Sequence, residues 1–340
     1  EEKKLRIDLE HALMYYNAVG VPVKEALRRL DNSHLGGFYA RPPILYYSLD
    51  DAAKIYPISM KHGQMTVFRL SAILKDDIVP SLLQIALTFT IKRFPRFATT
   101  LKKGFFWHYL DANKQRYAIE KEEHIPCRPI KVSSTGSKSF RVLYYKGRIS
   151  VEFFHTLTDG RGGLVFLQTL VATYLELMGA PKVNHPAILD IDEVPRLGED
   201  ANDFKMTTAT KASGFKERKA LQMSGRIANI RPTQILHFKM NSGELYRVAK
   251  SFDVTVTAYI LALLLLASKY ATDASEGDIS IQLPVDMRKF YPSTTLANFA
   301  LYAGIRVNID NITNIEELLP LVKEQLATKT THEKMSEMAY

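Results

Sequence analysis

Apolar and polar positions alternate from Thr66 to Leu74, with β-branched residues among them, a period of two that predicts a strand. Ile78, Leu82, Leu83, Ile85, Ala86 and Phe89 then recur at helical spacing, and Pro95 ends the pattern. The stretch Thr99 to Tyr117 carries aromatic strand material, Phe105-Phe106-Trp107, around the turn signal Asp111-Ala112-Asn113, and reads as a hairpin. Two further strand-like runs, Ser139 to Tyr145 and Arg148 to Phe154, meet at Lys146-Gly147, where the glycine suits a tight reversal. The second of them leads directly into His155. Beyond the glycine-rich turn Asp159-Gly160-Arg161-Gly162-Gly163, Leu164, Leu167, Leu170, Val171, Tyr174, Leu175 and Met178 mark a helix that closes at Gly179. One histidine is thus framed by a strand, a tight turn and a helix.

Periodicity lapses between Ala180 and Pro232, where the chain is first Pro-rich and then charged and Ser/Thr-rich. Order returns with a strand at Gln234–Met240, a helix from Ser242 with Glu244 in its first turn, and an apolar helix from Thr257 to Tyr270. Strands at Ile279–Val285 and Leu301–Val307 and a terminal helix from Ile315 to Met338 complete the reading. The expected class is α/β, in the α+β sense. The divisions are an N-terminal extension over 1–54, partly helical, an N-terminal lobe over 55–180, a linker or crossing loop over 181–232, and a C-terminal lobe over 233–340. Within the extension, Leu9, Leu13 and Tyr16 fall near helical spacing, which predicts packing onto the domain.

With 340 residues, 46% of them hydrophobic, the chain has enough apolar surface for a sizeable core. Its longest apolar run, Ala258 to Ala267 broken only by Tyr259, is about half of what a bilayer span needs, so no transmembrane segment is expected. The lone Cys127 cannot form an internal disulfide, and together with the absence of a secretory signal pattern this predicts a cytoplasmic protein. The formal charge of +9 suits an anionic partner. No aromatic-interleaved basic motif of the kind that stacks bases is present, so no nucleic acid is expected. His108, His124 and His185 are too dispersed for metal-ligand spacing, and no metal is expected.

The residues that carry chemistry are His155-Thr156-Leu157-Thr158-Asp159-Gly160, a His-x-x-x-Asp-Gly motif. A largely neutral imidazole at a strand end can take a proton from an alcohol or amine as that group attacks a carbonyl. Asp159 would hold the local backbone or pair with a cation, and Gly160 would permit a close approach or an unusual backbone conformation. A purely structural arrangement has the same pattern, with His155 closing the strand and Asp159 capping the helix.

The motif resembles the signature of the chloramphenicol acetyltransferase-like superfamily, which includes peptide-synthetase condensation domains, alcohol acetyltransferases, plant-type acyltransferases and wax ester synthases. A second element agrees: Leu283-Pro284-Val285-Asp286-Met287-Arg288 followed by Asn298-Phe299 is similar to the later segment of these proteins. The likeness spans roughly residues 55 to 310. It implies a two-lobed CoA-dependent acyltransferase fold with mixed sheets and a tunnel between the lobes, closest to the alcohol acetyltransferase-like members. It also implies that His155 is the general base and that Arg288 bridges to Asp159 and supports the motif loop. Thr158 and Asn298 are candidates for oxyanion or substrate contact.

The expected reaction moves an acyl group from acyl-CoA, a donor substrate and not a tightly bound cofactor, to a small alcohol or amine acceptor. Basic residues between Lys211 and Arg231 would meet the CoA phosphates. The alternatives are transfer from an acyl carrier protein, or a catalytically silent ligand-binding or interaction protein with the same fold. Two features depart from the family. Phe154 stands where condensation domains have a second histidine, and the Asp-Phe-Gly-Trp-Gly motif of plant-type members is absent, the sole tryptophan being Trp107. The chain also stops at Tyr340, earlier than such folds usually end, so the C-terminal lobe is expected to be incomplete.

Overall fold

A computed structural model describes residues 2–31, 46–60, 65–112, 116–130, 138–208, 218–222 and 238–339. It divides into two compact units, Glu1–Asp203 with Ser293–Phe299, and Phe204–Pro292 with Ala300–Tyr340.

The first unit begins with α1 (Glu2–Ala18) and α2 (Val23–Leu30), followed by β1 (Tyr46–Ser48), the short α3 (Tyr56–Met60), β2 (Val67–Ile73) and α4 (Pro80–Arg93). It continues through β3 (Thr99–Lys103), β4 (His108–Ala112), β5 (Ile119–Lys121), β6 (Phe140–Tyr145), β7 (Arg148–Phe154) and α5 (Gly160–Leu177). A four-stranded sheet has the order β2-β7-β6-β5, antiparallel except for the parallel pair β5-β6, and a three-stranded sheet has the order β1-β4-β3. The mixed α/β class expected from periodicity is the one observed.

Helix α4 starts with Pro80 at its first turn, where the missing N–H costs nothing. It is apolar on more than one face because it lies between α1 and α5, so Leu87 is buried along with the predicted stripe. Burial of each such side chain contributes about 1.5–3 kcal/mol. Phe94, Phe97, Phe140, Phe153 and Phe166 form the ring cluster beneath the sheet, with Phe97 and Phe166 stacked at 5.0 Å. The N-terminal extension packs as expected: Ala12 and Tyr16 are buried, and the Tyr16 hydroxyl donates to the Leu177 carbonyl at 2.6 Å.

The second unit holds α6 (Ser242–Ser251), α7 (Val256–Tyr270), β8 (Asp278–Asp286), β9 (Ala300–Asn308), α8 (Ile315–Lys329) and α9 (His332–Ala339). Its antiparallel pair β8-β9 lies against a core that includes Leu261, Ala262, Leu265, Ile305 and Leu318. Among the described residues no single helix is long and apolar enough to cross a membrane.

Four expectations need correction or relocation. The hairpin of β3 and β4 reverses at Gly104–Trp107, where the Gly104 N–H donates to the Trp107 carbonyl at 2.7 Å, and not at Asp111-Ala112-Asn113. The register pairs Leu101 with Leu110, both buried, which places Asp111 and Ala112 inside β4; Asn113 lies outside the described residues. The single terminal helix is two, because Thr331 accepts from the Lys334 N–H and starts a new one. Of the stretch 181–232 read as a linker or crossing loop, residues 181–203 fall within the first unit, where Arg93 and Glu199 form a buried bidentate pair at 2.5 and 2.6 Å and Arg93 also donates to the Asp190 carbonyl. Most of the predicted strand Gln234–Met240 and of the basic stretch from Lys211 to Arg231 lies outside the described residues.

Candidate active site

His155 follows the last residue of β7, and its N–H donates to the Thr66 carbonyl at 3.0 Å, so the sheet continues just far enough to fix its backbone. The Leu157 N–H then turns back to the Phe154 carbonyl, and helix α5 starts at Gly160. The half-buried imidazole lies between two rings, Tyr56 stacked on it at 4.5 Å and Phe68 tilted against it at 4.9 Å. These contacts restrict its rotation about the side-chain bonds.

The Asp159 carboxylate accepts from backbone on two sides. One carboxylate oxygen accepts from the N–H groups of Arg161 and Gly162 at 3.1 and 3.0 Å, which caps α5. The other accepts from the Phe299 N–H at 2.8 Å. A residue 140 positions later in the chain is thereby held against the motif loop. The segment Ser293–Phe299 is secured further by the Leu296 N–H donating to the Glu199 carbonyl at 2.6 Å and by Thr295, whose hydroxyl donates to the Ala201 carbonyl at 2.7 Å.

Asn298 sits in that segment and meets the histidine. Its Oδ1 lies 3.0 Å from His155 Nδ1, while its Nδ2 and backbone N–H donate to Asp50 Oδ2 at 3.3 and 3.2 Å. Asp50 is buried, pairs with buried Arg96 at 3.0 Å, and accepts from the Ala53 N–H at 2.7 Å. Arg96 in turn donates to the Leu157 carbonyl at 3.1 Å, inside the motif itself. Burial pushes the Asp50 carboxyl up from the usual carboxylate range, and Arg96 and the donated N–H groups oppose that shift. Every group facing Asp50 is a donor, so the amide nitrogen of Asn298 must point at it and the amide oxygen at His155. Nδ1 therefore carries the proton, and Nε2 is left as the basic nitrogen.

The remaining sequence candidates take other places. Thr158 is fully buried and its hydroxyl donates to the Leu296 carbonyl at 2.6 Å, so its one proton is engaged in clamping the 293–299 segment instead of facing a substrate. Both polar ends of the Asn298 amide are likewise engaged, by His155 and Asp50. The close approach expected at Gly160 falls at Gly162, where an added Cβ would lie 2.3 Å from both the Leu296 carbonyl oxygen and Thr158 Oγ1; at Gly160 the same atom meets nothing within 4 Å. Arg288 lies in the second unit and donates to Asp286 at 2.9 Å. Cys127, half-buried, has its thiol pushed up by burial, which does not favour a reactive thiolate. Among the described residues no group of three or more His, Cys, Asp or Glu could hold a metal ion.

Sequence reasoning missed Asp50, Tyr56 and Arg96. Asp50 accepts from the N–H three residues ahead, as a helix cap does, and that local signal was available; its contact with Asn298 was not. A separate cavity of about 640 Å³ lies within the second unit, lined by Lys250, Thr255, Pro284, Lys289 and Lys323 among others.

No protein-family model matches this chain, and no curated protein sequence does. Solved structures do. Polyketide synthase associated protein 5 from Mycobacterium tuberculosis superposes with a TM-score of 0.58 at 14% identity, over 86% of this chain and 75% of that one. The first condensation domain of the calcium-dependent antibiotic synthetase, in complex with a substrate analogue, gives 0.56 at 13% identity, over 86% and 76%. A variant of the starter condensation domain of rhizomide synthetase, in complex with C8-CoA, gives 0.54 at 12% identity, over 85% and 72%. The fold of this chain is that of the condensation domains.

Proposed function

We propose that this protein is an acyltransferase that moves an acyl group from a CoA thioester to an alcohol or amine, with His155 as general base. The observation that carries this reading is the chain His155–Asn298–Asp50, which protonates Nδ1 and leaves Nε2 to accept a proton. In the reaction, Nε2 takes the proton of the acceptor O–H or N–H as its oxygen or nitrogen bonds to the thioester carbonyl carbon. The tetrahedral intermediate collapses, the C–S bond breaks, and the proton held by the imidazolium goes to the departing CoA sulfur. No covalent enzyme intermediate is needed.

Support comes from the similar solved structure that is in complex with C8-CoA and from the formal charge of +9, which suits the CoA phosphates. Asp159 supports the base by holding the motif loop to the 293–299 segment. Transfer from a carrier-protein thioester would use the same histidine and differs only in the donor.

The test is release of free thiol from a panel of acyl-CoAs with alcohol and amine acceptors. The intact protein is expected to release thiol in an acceptor-dependent manner, and His155→Ala to lose roughly 100-fold or more of that rate. Absence of turnover with every CoA and carrier-protein donor would leave a ligand-binding protein with this fold as the better reading.

A further inference from the structure

The hairpin of β3 and β4 ends in three consecutive aromatic residues that, among the described residues, join neither hydrophobic core. Phe105, Phe106 and Trp107 are 92%, 79% and 68% exposed, and none belongs to either hydrophobic core cluster. The turn is well formed. Gly104 donates to the Trp107 carbonyl, and a Cβ at Gly104 would lie 2.8 Å from that same oxygen, so this position needs glycine. Phe105 packs edge-on to Phe106 at 4.6 Å, and Phe106 stacks with Trp107 at 6.0 Å, which makes the three rings one contiguous apolar tip. Turn positions are normally filled by glycine, asparagine, aspartate or serine, and no feature of the fold calls for aromatic residues here. Exposed apolar clusters of this kind mark a surface that is covered by something else.

Shape and charge select the partner. A stable protein interface buries well over 1,000 Å² of fitted surface, whereas this is the narrow convex end of one hairpin. A bilayer makes no demand for a complementary shape, and the headgroup region is where tryptophan and other amphipathic rings concentrate. Directly behind the rings, Lys102 and Lys103 are both exposed, and the chain as a whole is strongly basic. Lys102 also pairs with Asp111 across the hairpin, which stiffens the stem that carries the tip. An apolar tip with Lys103 exposed behind it, on a chain of formal charge +9, complements a surface of anionic lipid. We propose that the Phe105-Phe106-Trp107 tip inserts into the interface of an anionic phospholipid bilayer and docks the protein there. This inference is independent of the acyltransferase reading.

Trp107 is the only tryptophan in the chain, so it reports insertion without labelling. The full-length protein is mixed with vesicles of phosphatidylcholine alone or with about one third phosphatidylserine. Trp107 emission is expected to shift to the blue with the anionic vesicles and to be quenched by lipids brominated high on the acyl chain. Phe105→Ser/Phe106→Ser, which keeps the reporter and alters only exposed positions, is expected to lower vesicle partitioning by roughly 100-fold on the ring area withdrawn, with an unchanged circular dichroism spectrum. Three results would overturn the proposal: no association with either vesicle, association without any change at Trp107, or association that the double substitution leaves intact.

Discussion

Replacing Asn298 with alanine tests the positioning of the proposed base, His155, more directly than replacing the histidine itself. The substitution removes the acceptor 3.0 Å from His155 Nδ1 but keeps the backbone N–H that donates to Asp50. The half-buried imidazole is flanked by Tyr56 and Phe68, which restrict the access of water to the place of the lost acceptor. A donor left without a partner in such a place costs about 1–3 kcal/mol. That cost falls on the tautomer with hydrogen on Nδ1, which is the one competent to act through Nε2. At about 1.4 kcal/mol per tenfold, the competent population and the turnover number should fall by roughly 5- to 150-fold. KM for the acyl-CoA should stay nearly constant, because no proposed substrate contact is removed. Asp50 retains Arg96 and two backbone donors, so the fold survives with a Tm lower by only a few degrees. Thiol release at 25 °C measures the rate. The nitrogen chemical shifts of His155 measure the tautomer without reference to activity, and should pass from a single protonated Nδ1 in the native protein to a mixture. If turnover stays within twofold and the shifts do not move, Asn298 does not set the tautomer and the account of the site given above is wrong.

The half-buried Asp200 offers a test by pH. Burial pushes its carboxyl up to about 6, against a usual value near 4, with Arg96 drawing it back in part. Above pH 6 the folded protein holds a charge it disfavours; as pH falls from 6 towards 4 the folded state takes up a proton that the unfolded chain has lost, so this group's penalty disappears as pH falls. Asp200→Asn should therefore raise stability at pH 7 by up to about 3 kcal/mol and flatten the dependence between pH 7 and 4, as read by urea unfolding. Gly162→Ala should be far more damaging than Gly160→Ala, since only the former drives a Cβ into Leu296 and Thr158. Displacement of the 293–299 segment should show as a loss of turnover at 162 with little change at 160.

What could be read from periodicity was the frame around the histidine. Strands β6 and β7, helix α5 and the capping role of Asp159 all follow from local rules, because each is decided by residues within a few positions of one another. Asp50, Arg96 and the contacts that Asn298 makes with Asp50 and His155 escaped for the opposite reason. They meet across separations of 46 and 248 residues, and a buried polar network has no period to betray it. The hairpin turn was misplaced because Asp-Ala-Asn has the chemistry of a turn, whereas the burial of Leu101 against Leu110 set the register. The same preference for aromatic residues in strands hid the exposed tip. Gly160 drew attention as part of the motif, although the crowded glycine is two residues later.

The chain enters the first unit, leaves it at Asp203, returns for the seven residues Ser293–Phe299, and leaves again. A growing polypeptide that has completed α5 already contains His155, yet the partner that fixes its tautomer is synthesised only some 120 residues afterwards. Until then Asp159 lacks the Phe299 N–H and Asp50 lacks two of its donors. Domains folding in order of synthesis would thus carry the proposed base without its partner while those residues are made. The order of the chain itself delays the competent site until much of the second unit has been made.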